Sequence, residues 1–73
     1  MKYNLSAVVV NGDLLSINKN YSSRERAIKA AFKMFALRGC NVQVEEIIEK
    51  GNKHNLEYVC DDLNRFTISR LAA

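Results

Sequence analysis

Residues 21–39 read Tyr21-Ser22-Ser23-Arg24-Glu25-Arg26-Ala27-Ile28-Lys29-Ala30-Ala31-Phe32-Lys33-Met34-Phe35-Ala36-Leu37-Arg38-Gly39, and this stretch decides the fold. Ser22 and Glu25 have the S-x-x-E spacing of a capping box, in which each side chain satisfies a free backbone amide near the other. Gly39 supplies the left-handed residue that stops a helix. The helix is therefore expected over residues 23–38. At about 100° per residue, Ala27, Ile28, Ala31, Phe32, Met34 and Phe35 fall on one broad apolar arc. Glu25, Arg26, Lys29 and Lys33 lie opposite, with the small Ala36 between.

Working outward, the segments on both sides alternate with a period of two. Residues 3–10 place Leu5, Ala7 and Val9 on one face, and Asn11-Gly12 is a strong hairpin signal. Residues 14–20 carry Leu15 and Ile17 on one face. A two-residue loop would pair Val9 with Leu14 and set polar Ser16 and Asn18 on the face of Ala7 and Leu5. A three-residue loop, Val10-Asn11-Gly12, pairs Ala7 with Leu15 and Leu5 with Ile17. Register follows the apolar face, so the three-residue loop is expected.

Beyond Gly39, residues 41–50 read as a third strand with Val42 and Val44, interrupted by Glu45-Glu46, a possible bulge site. Gly51-Asn52 turns the chain into residues 53–60, where Leu56, Tyr58 and Cys60 share a face. Asp61-Asp62-Leu63-Asn64 is the last turn, leading to residues 65–71 with Phe66 and Ile68 inward. An odd-length loop pairs Cys60 with Phe66 and Tyr58 with Ile68. The expectation is an α+β fold, ββαβββ, with an antiparallel β-sheet of order 2-1-3-4-5 and one amphipathic helix packed on one face. A right-handed crossover favours that arrangement.

The 73 residues form one expected domain, 1–73, close to the lower size at which a core folds unaided. With 48% apolar and 26% charged residues, the composition is globular rather than disordered. No run of about 18 apolar residues marks a membrane span, and the N-terminus reads as a strand rather than a signal peptide. A cytoplasmic location and no membrane partner follow as expectations. Such a small core makes oligomerisation a way to gain apolar burial. Val8, Val10, Leu14, Ile47, Val59 and Leu71 are expected on the uncovered sheet face, which predicts a homodimer through that face or its edge.

Enzyme chemistry finds little support. His54, the one histidine, sits in a polar turn, and no second histidine stands ready to activate Cys40 or Cys60. Zinc needs about four convergent ligands, so the cysteines read as free thiols, with no metal and no cofactor expected. Asp61-Asp62 caps its own turn, and Gly12, Gly39 and Gly51 each serve a turn or a cap rather than a phosphate loop. The chain is read as a non-enzyme.

Charge is more informative. Residues 1–40 hold seven basic groups against two acidic ones, a balance of +5, and residues 41–73 hold four against six, a balance of −2. Arg26, Lys29 and Lys33 form a stripe on the exposed helix face, with Arg24 and Arg38 at its ends and Lys19 entering from the preceding strand. Such a row neutralises phosphates and releases counterions, with little sequence preference. RNA is favoured over duplex DNA because nothing here resembles a groove-reading helix. The bland alternative is a solvated face, steadied by an i,i+4 pair of Glu25 and Lys29. Tyr3, Tyr21 and Tyr58 read as core or staple residues rather than base-stacking platforms.

In size, and in the capped basic helix Tyr21-Ser22-Ser23-Arg24-Glu25-Arg26-Ala27-Ile28-Lys29, the chain resembles small accessory proteins of T4-like phages. Among these it is similar in overall character to the TifA-like family, RNA-binding inhibitors of a host toxin–antitoxin ribonuclease. The resemblance implies a phage counter-defence protein, an antitoxin-like inhibitor that holds a ribonuclease toxin inactive together with RNA. The competing expectation is a protein-interaction module, an inhibitor of the anti-CRISPR kind, that uses the sheet face or an edge strand without nucleic acid.

Overall fold

The computed structural model describes residues 2–43, 47–49, 51 and 55–70. Among them, four strands form one antiparallel sheet and a single helix packs on it, so the α+β class holds. The first two strands, β1 (Tyr3–Val10) and β2 (Asp13–Tyr21), make a hairpin. Val10 pairs with Asp13, which leaves Asn11 and Gly12 as a two-residue turn with φ of 51° and 84°. Positive φ at both positions is what a type I′ turn requires.

This corrects the expected three-residue loop and its pairing. Val8 lies opposite Leu15, Ala7 opposite Ser16, and Leu5 opposite Lys19. The reason sits at Ser6. Between Leu5 and Ala7 the register shifts against both neighbouring strands, so the inward set passes from Tyr3 and Leu5 to Val8 and Val10. Strict alternation would have buried Ala7 and Val9. The shift instead buries the bulky trio Leu5, Val8 and Val10, to 1%, 0% and 3% exposure.

The helix, α1 (Arg24–Leu37), begins one residue later than expected, with Ser23 as its cap instead of Ser22. Ser23 is extended (φ −145°, ψ 158°), and its Oγ accepts the backbone N–H of Arg26 at 3.2 Å. Tyr21 remains paired with Tyr3 at the end of β2. Ser22 and Ser23 span the turn from β2 into α1, and Glu25 stands in the first turn of the helix, where the helix dipole favours a carboxylate. At the other end Gly39 has φ 74°. The Gly39 N–H donates to the Ala36 carbonyl and the Cys40 N–H to that of Phe35, each at 3.0 Å, the two bonds of a Schellman stop. Ala27, Ala31 and Phe35 are buried, and Ile28, Phe32 and Met34 pack half-buried beside them.

The expected strand over residues 41–50 does not form in its described parts; residues 44–46 and 50 lie outside the described set. Cys40 and Val42 pack against the core instead, and Glu49 meets Arg24 at the helix start. The place beside β1 is taken by the last strand. The C-terminal strands are β3 (Asn55–Asp61) and β4 (Asn64–Arg70), and the sheet order is β2-β1-β4-β3, four strands instead of the expected five in order 2-1-3-4-5. Residues 64–70 alternate without interruption, so Phe66 and Ile68 face Val8 and Leu5 across the sheet centre. Glu45-Glu46 denies residues 41–50 that pattern.

The C-terminal hairpin is also displaced from expectation. Tyr58 pairs with Phe66 and Leu56 with Ile68: Asp61 pairs with Asn64 across a two-residue turn, and the register shifts by one further residue between Val59 and Asp61. The displacement is two residues, so each side chain keeps its expected face. Tyr58 and Phe66 stack at 5.2 Å between ring centroids, and Phe32 meets the edges of Phe66 and Phe35 at 5.6 and 5.5 Å. Offset and T-shaped contacts of this kind suit the ring quadrupoles. Val8 and Val10 belong to this core, which removes two of the six residues expected on the open face. Leu14 stays exposed on it, Val59 is half-buried, Ile47 lies outside the sheet, and Leu71 lies outside the described residues. Among the described residues no helix is long and apolar enough to cross a membrane.

Candidate nucleic-acid interface

The outer face of α1 is set by the same periodicity that buries its inner face. Arg26, Lys29 and Lys33 are all exposed, and residues three and four apart on a helix stand about 5–6 Å from each other. Among the described residues none of the three is in an ion pair. Glu25 and Lys29, expected as an i,i+4 pair, form no salt bridge either, whereas Arg24 pairs with Glu49.

That pair takes Arg24 out of the stripe. Its Nη1 donates to Glu49 Oε1 at 2.7 Å, and the guanidinium stands 5.9 Å from the Tyr58 ring centroid. The Tyr58 hydroxyl donates to the same carboxylate oxygen at 3.2 Å. Burial pushes the Tyr58 phenol up to about 12; the Arg24 charge pulls against this and Glu49 adds to it. The hydroxyl is therefore a fixed neutral donor at neutral pH and no candidate base. Glu49 at the start of α1 also answers the positive end of the helix dipole. Nothing local in the sequence announces a contact across 25 positions, so the withdrawal of Arg24 is visible only in the fold.

The two remaining cations flank the stripe at opposite ends. Arg38 is the C-terminal cap residue, and its exposed side chain lines a small cleft of about 110 Å³ with Val10, Asn11, Asp13 and Leu15. Lys19, opposite Leu5 on the helix side of β2, extends its Nζ over the Tyr21 ring at 5.7 Å. The structure thus brings Arg26, Lys29 and Lys33 together, sets Arg38 and Lys19 at the margins, and commits Arg24 elsewhere.

The helix-free face of the sheet holds a polar group that sequence reading did not single out. Asn4 Nδ2 donates to Asn18 Oδ1 at 2.7 Å and to Asn20 Oδ1 at 2.8 Å. The signal was the alternation of Asn18 and Asn20 in β2, which gains meaning only when the hairpin register sets Asn4 opposite Asn20.

Cys60 is buried, Cys40 half-buried, and both are free. Burial raises the Cys60 thiol to about 11, with the neighbouring Asp61 charge adding to the shift, so it is a poor nucleophile. Among the described residues no three His, Cys, Asp or Glu side chains gather to hold a metal ion; His54 lies outside the described residues. The chain matches no protein-family model, no curated protein and no solved structure.

Proposed function

We propose that this protein binds RNA along the sugar–phosphate backbone through the outer face of α1, with Arg26, Lys29 and Lys33 as the principal contacts. The observation that carries the reading is that these three cations stand exposed on one face, without an acidic partner among the described residues. Arg38 and Lys19 extend the positive field at the margins. Recognition by point charges on phosphates gives affinity with little base preference and a steep dependence on salt. The counter-defence role, in which the protein and RNA together hold a toxin–antitoxin ribonuclease inactive, rests on the resemblance in size and overall character to the TifA-like family and extends this proposal.

The experiment is a gel-shift series with single-stranded RNA at two salt concentrations, comparing the natural chain with Arg26→Glu/Lys29→Glu/Lys33→Glu. Micromolar or tighter binding, lost in the triple variant at an unchanged melting temperature, supports the reading. Absence of binding at low salt sinks it.

A second reading is a protein-interaction module that uses the helix-free sheet face. Leu14, 68% exposed, pairs with Val9, and Arg65 stands between Val9 and Val59 in the same row. Recognition through that row would survive charge reversal on the helix.

A further inference from the structure

We infer that β2 is a dimerisation edge, pairing antiparallel with β2 of a second copy about a two-fold axis at Ser16 to give a continuous eight-stranded sheet. β2 lies at one end of the order β2-β1-β4-β3 and is nine residues long. The outer edge of such a strand offers a row of unpaired backbone N–H and C=O groups, which natural sheets shield with prolines, bulges, charges or short length. The chain has no proline, and among its nine residues β2 carries two charges, Asp13 and Lys19. The opposite edge is better guarded. β3 has only seven residues and both its charges, Glu57 and Asp61, are acidic, while each of the two edge strands has one register shift against its inner neighbour.

The register follows from the side chains. Antiparallel pairing of a strand with its own copy requires paired residues to share a face, so the axis must pass through a residue. An axis at Ser16 sets Leu15 opposite the partner's Ile17 and Asp13 opposite the partner's Lys19. All four residues lie on the helix side of the sheet, since Asp13 pairs with Val10, Leu15 with Val8 and Lys19 with Leu5. The result is an apolar centre flanked symmetrically by opposite charges. Moving the axis to Ile17 would set Leu15 against Lys19 and Asp13 against Tyr21, losing both matches. Leu15 and Ile17 are only half-buried in the single chain, because α1 leans over β1 and β4 more than over β2. The second copy would complete their burial. Arg38 shares a cleft with Asp13 but forms no ion pair with it, which leaves the carboxylate for the partner.

Charge exchange tests both the dimer and its register. Light scattering and sedimentation at micromolar concentration should give twice the 8.3 kDa chain mass. Asp13→Lys alone sets lysines opposite each other at two symmetric places, and Lys19→Asp does the same with aspartates. Each should weaken association about tenfold or more, and the double variant Asp13→Lys/Lys19→Asp should restore it. As an independent measurement, Ser16→Cys on the axis should cross-link two chains under mild oxidation, because a disulfide needs Cα atoms within about 7 Å. Asn20→Cys, far from its own copy, should not. A monomer at every concentration, a dimer indifferent to the single reversals, a double variant that fails to recover, or cross-linking equal at both cysteines would each overturn the proposal.

Discussion

The Asn64 side-chain carbonyl accepts the backbone N–H of Asn11 at 3.3 Å, joining the turns of two hairpins that lie 53 positions apart in the chain. The same amide donates from Nδ2 to both carboxylate oxygens of Asp61 at 2.9 Å. A backbone bond from Gly12 N–H to the Leu63 carbonyl at 3.2 Å runs beside it. Among the described residues Asn64 is the one buried polar residue, 7% exposed, and no buried side-chain N or O atom of theirs lacks a partner. Asn64→Ala leaves the Asp61 carboxylate and the Asn11 N–H without this partner. The expected cost is about 1–3 kcal/mol, read as a lowered urea midpoint at constant slope.

The two adjacent serines before α1 should separate cleanly. Ser23→Ala removes the oxygen that accepts the Arg26 N–H and should cost about 0.5–2 kcal/mol. Ser22→Ala touches no cap bond and should leave the denaturation midpoint within error. Equal effects would mean the helix starts at a different residue.

RNA binding should depend on cations in the order set by their free charge. Replacing Arg26, Lys29 or Lys33 singly with Ala should each reduce the log–log salt slope by about 0.7 on a single strand. Arg24→Ala should leave that slope unchanged, since its guanidinium already faces Glu49 at 2.7 Å. The Arg24–Glu49 pair is itself 41% and 47% exposed, so its loss should lower stability by less than about 1 kcal/mol. Parallel titrations of the four variants over a range of salt concentrations decide the matter.

Alkaline pH should destabilise the fold in a window set first by Cys60. Its thiol is raised from 9.0 to about 11 by burial, so the unfolded chain releases that proton before the folded one does. The stabilising contribution is complete below pH 9 and is lost as pH rises from 9 through 11. Cys60→Ala should therefore flatten the fall of melting temperature above pH 9, leaving the later loss from Tyr58, which is raised from 10.0 to about 12. At neutral pH an alkylating reagent should modify half-buried Cys40 well before buried Cys60, as mass mapping of the labelled chain would reveal.

The elements with strong local chemistry were legible in the sequence. The helix between Tyr21 and Gly39, the Asn11-Gly12 turn, the strands on either side and the inward placement of Phe66, Ile68, Tyr58 and Phe35 all follow from periodicity and turn residues. So did the exposure of Arg26, Lys29 and Lys33, because a helix that buries Ala27, Ala31 and Phe35 must turn its other face outward.

What only the tertiary structure decided is which strand lies beside β1, where each register shifts, and which charges find partners. A shift at Ser6 costs local regularity and is recovered only when Leu5, Val8 and Val10 all enter the core shared with α1, β3 and β4, a sum over contacts far apart in the chain. β4 wins the place beside β1 over residues 41–50 because Phe66 and Ile68 complete that shared core. Arg24 leaves the basic stripe because the returning chain delivers Glu49 to it. Period-two and period-3.6 patterns are properties of neighbouring residues, whereas pairing and neutralisation depend on what the rest of the fold brings within reach.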